Sequence, residues 1–155
     1  EQTKLLEAVV FGKEAAPSVY VFFDFQCSAC LLAHKTLKKL SLNGSLKVHY
    51  IPVGAQGNES VIKSAYTLIP SDNDKRKVIF NHMRKQIPLK QLIPTNAPES
   101  QLKTGLIAAL KNKKTFISLP TPATPTLLYE HNGISYISTV SSVADIKKVA
   151  QLLNN

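Results

Sequence analysis

The chain holds two cysteines, and they stand three residues apart in Cys27-Ser28-Ala29-Cys30. Thiol-disulfide exchange uses such a pair: one thiolate attacks a disulfide sulfur, and a second thiol within reach resolves the mixed disulfide. A cysteine at a helix N-terminus has its thiolate favoured by unpaired backbone N–H groups and by the helix dipole, which gives Cys27 the nucleophile's part. Cys30, nearly one helical turn on, is the resolving thiol. Two other uses of such a pair compete with this one. Zinc takes about four ligands, and although His34 follows one turn after Cys30, no second Cys-x-x-Cys or His-x-His cluster completes a set, so no metal is expected. A structural clip from i to i+3 closes too small a loop to remove much unfolded-chain entropy. The expected redox group is the Cys27–Cys30 dithiol/disulfide, with no further cofactor.

Thiols used this way need a strand to deliver them and a helix to carry them. Val19-Tyr20-Val21-Phe22-Phe23 is a β-branched and aromatic run that predicts a central strand, buried on both faces and leading to Cys27. Apolar residues at helical spacing then predict a helix from about Cys27 to Leu42, stopped by Asn43-Gly44. Lys47 to Pro52 alternates polar and apolar and predicts a second strand, completing a βαβ unit. Helical stretches at about 59–69, 72–86 and 99–113, parted by Pro70, Pro88, Pro94 and Pro98, form a helical insertion over about 58–115. The stripes Ile62, Ala65, Tyr66, Ile69 and Val78, Ile79, His82, Met83 are expected to face the core. Three prolines between Pro120 and Pro125 precede two strands, Thr126 to Glu130 and Ile134 to Ser138, joined by the hairpin signal Asn132-Gly133. Ser142-Val143-Ala144-Asp145 reads as a capping box opening a last helix.

With 155 residues, 44% of them hydrophobic, the chain fits a single domain over residues 1–155 with a sizeable core. It contains no run of 18 or more apolar residues, so no membrane span is expected. The opening Glu1-Gln2-Thr3-Lys4 lacks a signal-peptide pattern, and the chain is read as mature or trimmed. Net charge is +9, with 17 lysines against 2 arginines. Nucleic-acid readers concentrate arginine and interleave aromatics along a basic stripe. These lysines scatter over every predicted helix and there is no tryptophan, so they read as solvated helix faces and no nucleic-acid partner is expected. Two cysteines do not by themselves fix the redox compartment.

The α/β order of strand, helix, strand, helical insert, hairpin and helix, with Cys-x-x-Cys opening the first helix, resembles the thioredoxin fold. Val21-Phe22-Phe23-Asp24-Phe25-Gln26-Cys27-Ser28-Ala29-Cys30 resembles the strand and active-site loop of the bacterial DsbC and DsbG disulfide isomerases, including the aspartate three residues before the first cysteine. Lys47 to Gly54 and Ala123 to Tyr129 resemble two further segments, and the likeness runs from about Thr3 to Leu153. It implies a periplasmic disulfide isomerase or reductase of exported proteins, its signal peptide removed, served by a membrane redox partner of the DsbD type. It also implies a cis Thr124–Pro125 bond beside the cysteines, where the Thr124 backbone can pair with an extended substrate; an ordinary trans proline turn is the alternative.

The chain departs from that pattern in places. Ser28-Ala29 brings neither a ring nor a proline between the cysteines, and with no histidine there we expect a less oxidising couple than in DsbA oxidases. The isomerases carry an N-terminal dimerisation domain, of which residues 1–12 could only be the end of a linker helix; a homodimer is expected only if such a domain is missing from this chain. Val21 stands where thioredoxins and DsbA keep a buried acid. Asp24 could tune the active-site loop or, in the reading we favour, cap the helix; His34 could stabilise a thiolate or be an ordinary helix residue. Gly54 to Ser60 is a glycine-rich loop to which no role is carried over. The rival functions are a dithiol oxidase of the DsbA type, kept oxidised by a DsbB-type membrane partner, and a non-enzymatic peptide-binding chaperone on a thioredoxin scaffold.

Overall fold

The computed structural model describes residues 6–85, 87, 88, 91, 98–140 and 142–155. The β-branched and aromatic run forms β2 (Ser18–Phe23), the middle strand of a five-stranded sheet. On one side β2 pairs in parallel with β3 (Lys47–Pro52), which pairs antiparallel with β1 (Val9–Phe11). On the other it pairs antiparallel with β4 (Thr126–His131), and β4 with β5 (Ile134–Thr139), giving the order β1-β3-β2-β4-β5. Helix α1 (Ser28–Leu42) makes the crossover from β2 to β3. Asn132 and Gly133 both take the left-handed conformation of a tight hairpin between β4 and β5.

The strand period of two splits β2 between two cores. Val19, Val21 and Phe23 pack with Cys30, Ala33 and Leu37 of α1, with Ile146, Val149 and Ala150 of α5 (Val143–Leu153), and with Phe80 and Met83 of α3 (Asn73–Met83). Phe22 faces the other way, toward Ile51, Val53 and Phe116 of α4 (Glu99–Ile117). Phe23, Phe25 and Phe80 are fully buried; each such ring stabilises by about 2–3 kcal/mol, which secures the strand end that feeds the cysteines.

Helix α2 (Asn58–Leu68) crosses α4 so closely that a Cβ on Gly105 would sit 2.1 Å from the Ala65 carbonyl oxygen. Ser142 and Asp145 bond each other's backbone N–H at 3.3 and 3.0 Å, the capping box that starts α5.

Two expectations are corrected here. Residues 9–11, read as part of a possible linker-helix end, are a β-strand: Val9 and Phe11 alternate onto the face of Tyr50 and Val48, with Val9 fully buried. Its outward edge is taken by side chains, since Asn73 bonds the Val10 N–H and C=O at 2.8 and 2.9 Å and Arg76 bonds the Ala8 C=O at 3.0 Å. The α3 stripe is also misplaced, because Val78 and His82 are exposed while Phe80 and Met83 are buried. Phe80 turns this helix, stacking on Tyr50 with centroids 4.7 Å apart and packing against Phe11, Phe23 and Phe25. In α2, Ala65 is buried while Ile62, Tyr66 and Ile69 are half-buried. The expected turn at Pro94, the helix end at Gln86 and the residues before Leu6 lie outside the described residues.

Candidate active site

Strand β2 ends at Phe23, and the turn Asp24-Phe25-Gln26 carries the chain to Cys27, the N-cap residue of α1. The turn is closed by the Cys27 N–H bonding the Asp24 carbonyl at 3.2 Å. Cys27 Sγ takes the place of a capping oxygen: it accepts the Cys30 N–H at 3.2 Å. Negative charge developing on this sulfur is therefore met by a first-turn amide and by the positive end of the helix dipole. Both cysteines are free thiols, and they differ in access: Cys27 is 6% exposed and Cys30 is 0% exposed. Burial, and after it the neighbouring Cys27 sulfur, pushes the Cys30 thiol far up; the Asp24 backbone and the Thr124 side chain oppose this weakly.

The Thr124–Pro125 bond is cis, and the Thr124 carbonyl accepts the Cys27 S–H at 3.5 Å. Pro125 is buried and Thr124 half-buried. The Val140 N–H bonds the Pro125 carbonyl at 3.1 Å, which ties this segment to the end of β5. Beside the thiols, Ala29, Leu32, Ala33, Val140, Val143 and Ile146 line an apolar groove of about 60 Å³. Ser28 and Ala29 both face solvent, so they shape the surface around Cys27 rather than the core.

Of the other two residues singled out in the sequence, Asp24 does not take the capping place expected of it, and His34 lies on α1 without contacting the thiols through its ring nitrogen. Asp24 is buried and does not cap α1, whose cap is Cys27. Its carboxylate accepts the Gln26 N–H at 2.8 Å, the Ala55 N–H at 2.6 Å, the Gln56 N–H at 3.1 Å and the Ser60 hydroxyl at 2.6 Å. The glycine-rich loop that carried no expectation is thus fastened to the active-site turn. His34 is 3% exposed, and its Nδ1 pairs with the Tyr50 hydroxyl at 2.7 Å, not with either sulfur. Burial, then the Arg84 and Lys38 charges, lowers its pKa to about 4, so at neutral pH it is an uncharged ring among Phe23, Tyr50 and Phe80. Gln26 Nε2 is a buried donor next to Cys27 with no partner among the described residues.

Other places offer less chemistry. A cavity of about 580 Å³ lies along β1 and the start of β3, and its cations are already engaged: Arg76 with Glu7, Lys47 with Glu14 and Lys77 with Asp74. Among the described residues no three His, Cys, Asp or Glu side chains gather to hold a metal, and no helix is long and apolar enough to cross a membrane.

The sheet order, the Cys-x-x-Cys at the head of α1 and the proline segment facing it define a thioredoxin-like fold. Solved structures bear the same architecture. The thiol-disulfide exchange protein alpha-DsbA2 of Wolbachia pipientis superposes with a TM-score of 0.68 at 16% identity, over 97% of this chain and 89% of that one. The catalytic domain of Proteus mirabilis ScsC does so with 0.68 at 15% identity, over 96% and 90%. A periplasmic thioredoxin-like protein from Salmonella enterica serovar Typhimurium gives 0.67 at 15% identity, over 96% and 91%. At such identities the likeness is one of fold. No protein-family model matches the sequence, and neither does any curated protein.

Proposed function

We propose that the chain is a periplasmic thiol-disulfide oxidoreductase that reduces or isomerises disulfides of exported proteins, in the manner of DsbC and DsbG. The asymmetry of the two sulfurs carries this reading: Cys27 Sγ sits at the site mouth against the Cys30 N–H and the Thr124 carbonyl, while Cys30 is sealed beneath it. The Cys27 thiolate attacks one sulfur of a substrate disulfide; a Cys27–substrate bond forms, the substrate S–S bond breaks, and the departing thiolate takes up a proton. Cys30, losing its proton, then attacks Cys27 Sγ and releases the second substrate thiol. Two electrons and two protons pass from the pair to the substrate, and the pair is left as a disulfide. In isomerisation the freed substrate thiolate attacks a different substrate disulfide, and a thiolate released there attacks the mixed disulfide and expels Cys27, so Cys30 does not act and no net redox change occurs. The pair needs no other cofactor. Its reduction would fall to a membrane partner of the DsbD type.

Support comes from the neighbouring structures, one named a thiol-disulfide exchange protein and another periplasmic. The DsbA name of the first favours a second reading, a dithiol oxidase re-oxidised by a DsbB-type partner. Ser28-Ala29, with no histidine to stabilise a thiolate, favours the reducing direction.

The test is a Cys30→Ala variant mixed with a protein carrying scrambled disulfides. It should accumulate mixed disulfides that vanish when Cys27 is also replaced, and the reduced wild type should restore native pairing. Absence of any adduct would leave the cysteines structural and favour a peptide-binding chaperone. Faster disulfide formation in a reduced, unfolded protein by the oxidised wild type would favour the oxidase.

A further inference from the structure

We propose that Asp24 is a positioning residue that holds Ala55-Gln56-Gly57 as a rim for protein substrates at a set spacing from Cys27; this rests on the exchange reading above. Strands β3 and β4 are the two neighbours of β2, one parallel and one antiparallel. The segment leaving β3 and the segment entering β4 therefore emerge at the same end of the sheet, on opposite sides of the Asp24–Cys27 turn. Thr124 comes from the β4 side and touches Cys27 Sγ. Residues 55–57 come from the β3 side, are exposed, and bear no charge. An extended polypeptide crossing Cys27 has a backbone wall on each flank, whereas a small disulfide reaches only the sulfur.

The β3-side wall is fastened by Asp24 from within. The residue is fully buried, its main-chain carbonyl takes the Cys27 N–H at 3.2 Å, and its carboxylate takes the N–H groups of Ala55 and Gln56 and the Ser60 hydroxyl. Gly57, the N-cap of α2, has no side chain with which to cap. The tether holds the loop leading into α2 from its N-terminal side, through the Ala55 and Gln56 N–H groups and the Ser60 hydroxyl. A carboxyl side chain suits the task because both its oxygens accept, one from the Gln26 N–H and the other from three donors. An amide must turn its NH₂ against a donor on one side or the other.

The experiment compares kcat and KM for a disulfide-bonded protein and for glutathione disulfide, with amide hydrogen exchange as a second readout. For Asp24→Asn, the ratio of kcat/KM on the protein to kcat/KM on glutathione disulfide should fall about tenfold, mostly through KM, the scale of one charge-assisted hydrogen bond. Exchange at the Ala55 and Gln56 amides should quicken while that of Phe22 and Phe23 stays slow. Ser60→Ala, which deletes one donor without leaving a buried charge unpaired, should lower the ratio about threefold on the same scale and carries the test should Asp24→Asn fail to fold. Equal losses on both substrates, or an unchanged ratio despite faster exchange at Ala55 and Gln56, would overturn the rim. A wild type inert toward both disulfides would instead overturn the exchange reading, and the rim with it.

Discussion

Thr124 touches the site through both its backbone and its side chain: its carbonyl accepts the Cys27 S–H at 3.5 Å across 97 residues of sequence, and its side chain lies against Cys30. The first contact gives the Cys27 S–H an acceptor. The second eases deprotonation of a thiol that burial otherwise strongly opposes.

Replacing that side chain separates the two steps of exchange. Thr124→Val keeps the carbonyl and removes the hydroxyl, so attack by Cys27 should persist while resolution by Cys30 slows by about three- to tenfold, the worth of one modest hydrogen bond. Rapid-quench measurement of mixed-disulfide decay checks this; an unchanged decay would place the hydroxyl outside the resolving step.

The potential of the pair should lie on the reducing side of about −180 mV, because exposed Ser28 and Ala29 offer a Cys27 thiolate no ring cation. Equilibration against glutathione measures it. A value near about −120 mV would point to an oxidase. Ala29→His should move the couple upward, by supplying the missing cation.

Stability should fall on mild acidification. The pKa of His34 is lowered from 6.5 to about 4 by burial, with the Arg84 and Lys38 charges adding to it, while its ring faces the Tyr50 hydroxyl. The unfolded chain therefore binds more protons than the folded one in that window; stability is full above pH 6.5 and is lost as pH falls toward 4. The loss attributable to His34 is up to about 3 kcal/mol. His49, also lowered to about 4 chiefly by burial, acts in the same window, with a share reduced by solvent screening. Urea midpoints across this range should slope downward in the wild type and less steeply in His34→Leu; equal slopes would remove His34 as the cause.

The contact between α2 and α4 tolerates no side chain at Gly105. Alanine there gains about 1 kcal/mol of helix propensity. Its Cβ would nonetheless lie 2.1 Å from the Ala65 carbonyl oxygen and 2.9 Å from Ile69 Cγ1, so the helices must part. A net destabilisation of about 2–3 kcal/mol by urea unfolding is expected. A neutral result would mean the crossing relaxes freely.

Local patterns were enough to read β2, α1, β3, the Asn132-Gly133 hairpin, the Ser142 cap and the cysteine pair, because each is decided by neighbours within a turn or a strand. What stayed hidden was decided at a distance. Asp24 looked like a cap for the helix after it, yet its partners lie 31 to 36 residues away in a loop whose register nothing local fixes. His34 sits at a helical position that could face the thiols or the solvent, and its partner Tyr50 comes from the strand that α1 leads into. β1 has three residues, too few to display a period of two. In α3, one ring overrode the apolar stripe: Phe80 joins the aromatic cluster, and Val78 is left 71% exposed.

Asn73 mimics a sixth strand on β1 by occupying both hydrogen-bonding groups of Val10. The two borders of the sheet are consequently unequal. β1 is blocked to further pairing, whereas β5, Ile134-Ser135-Tyr136-Ile137-Ser138-Thr139, carries none of the charges or prolines that usually deter strand addition. Any growth of this sheet has a single direction. Two molecules joined through β5 would present only blocked borders outward, so association by strand pairing ends at a closed pair and cannot propagate into a fibre.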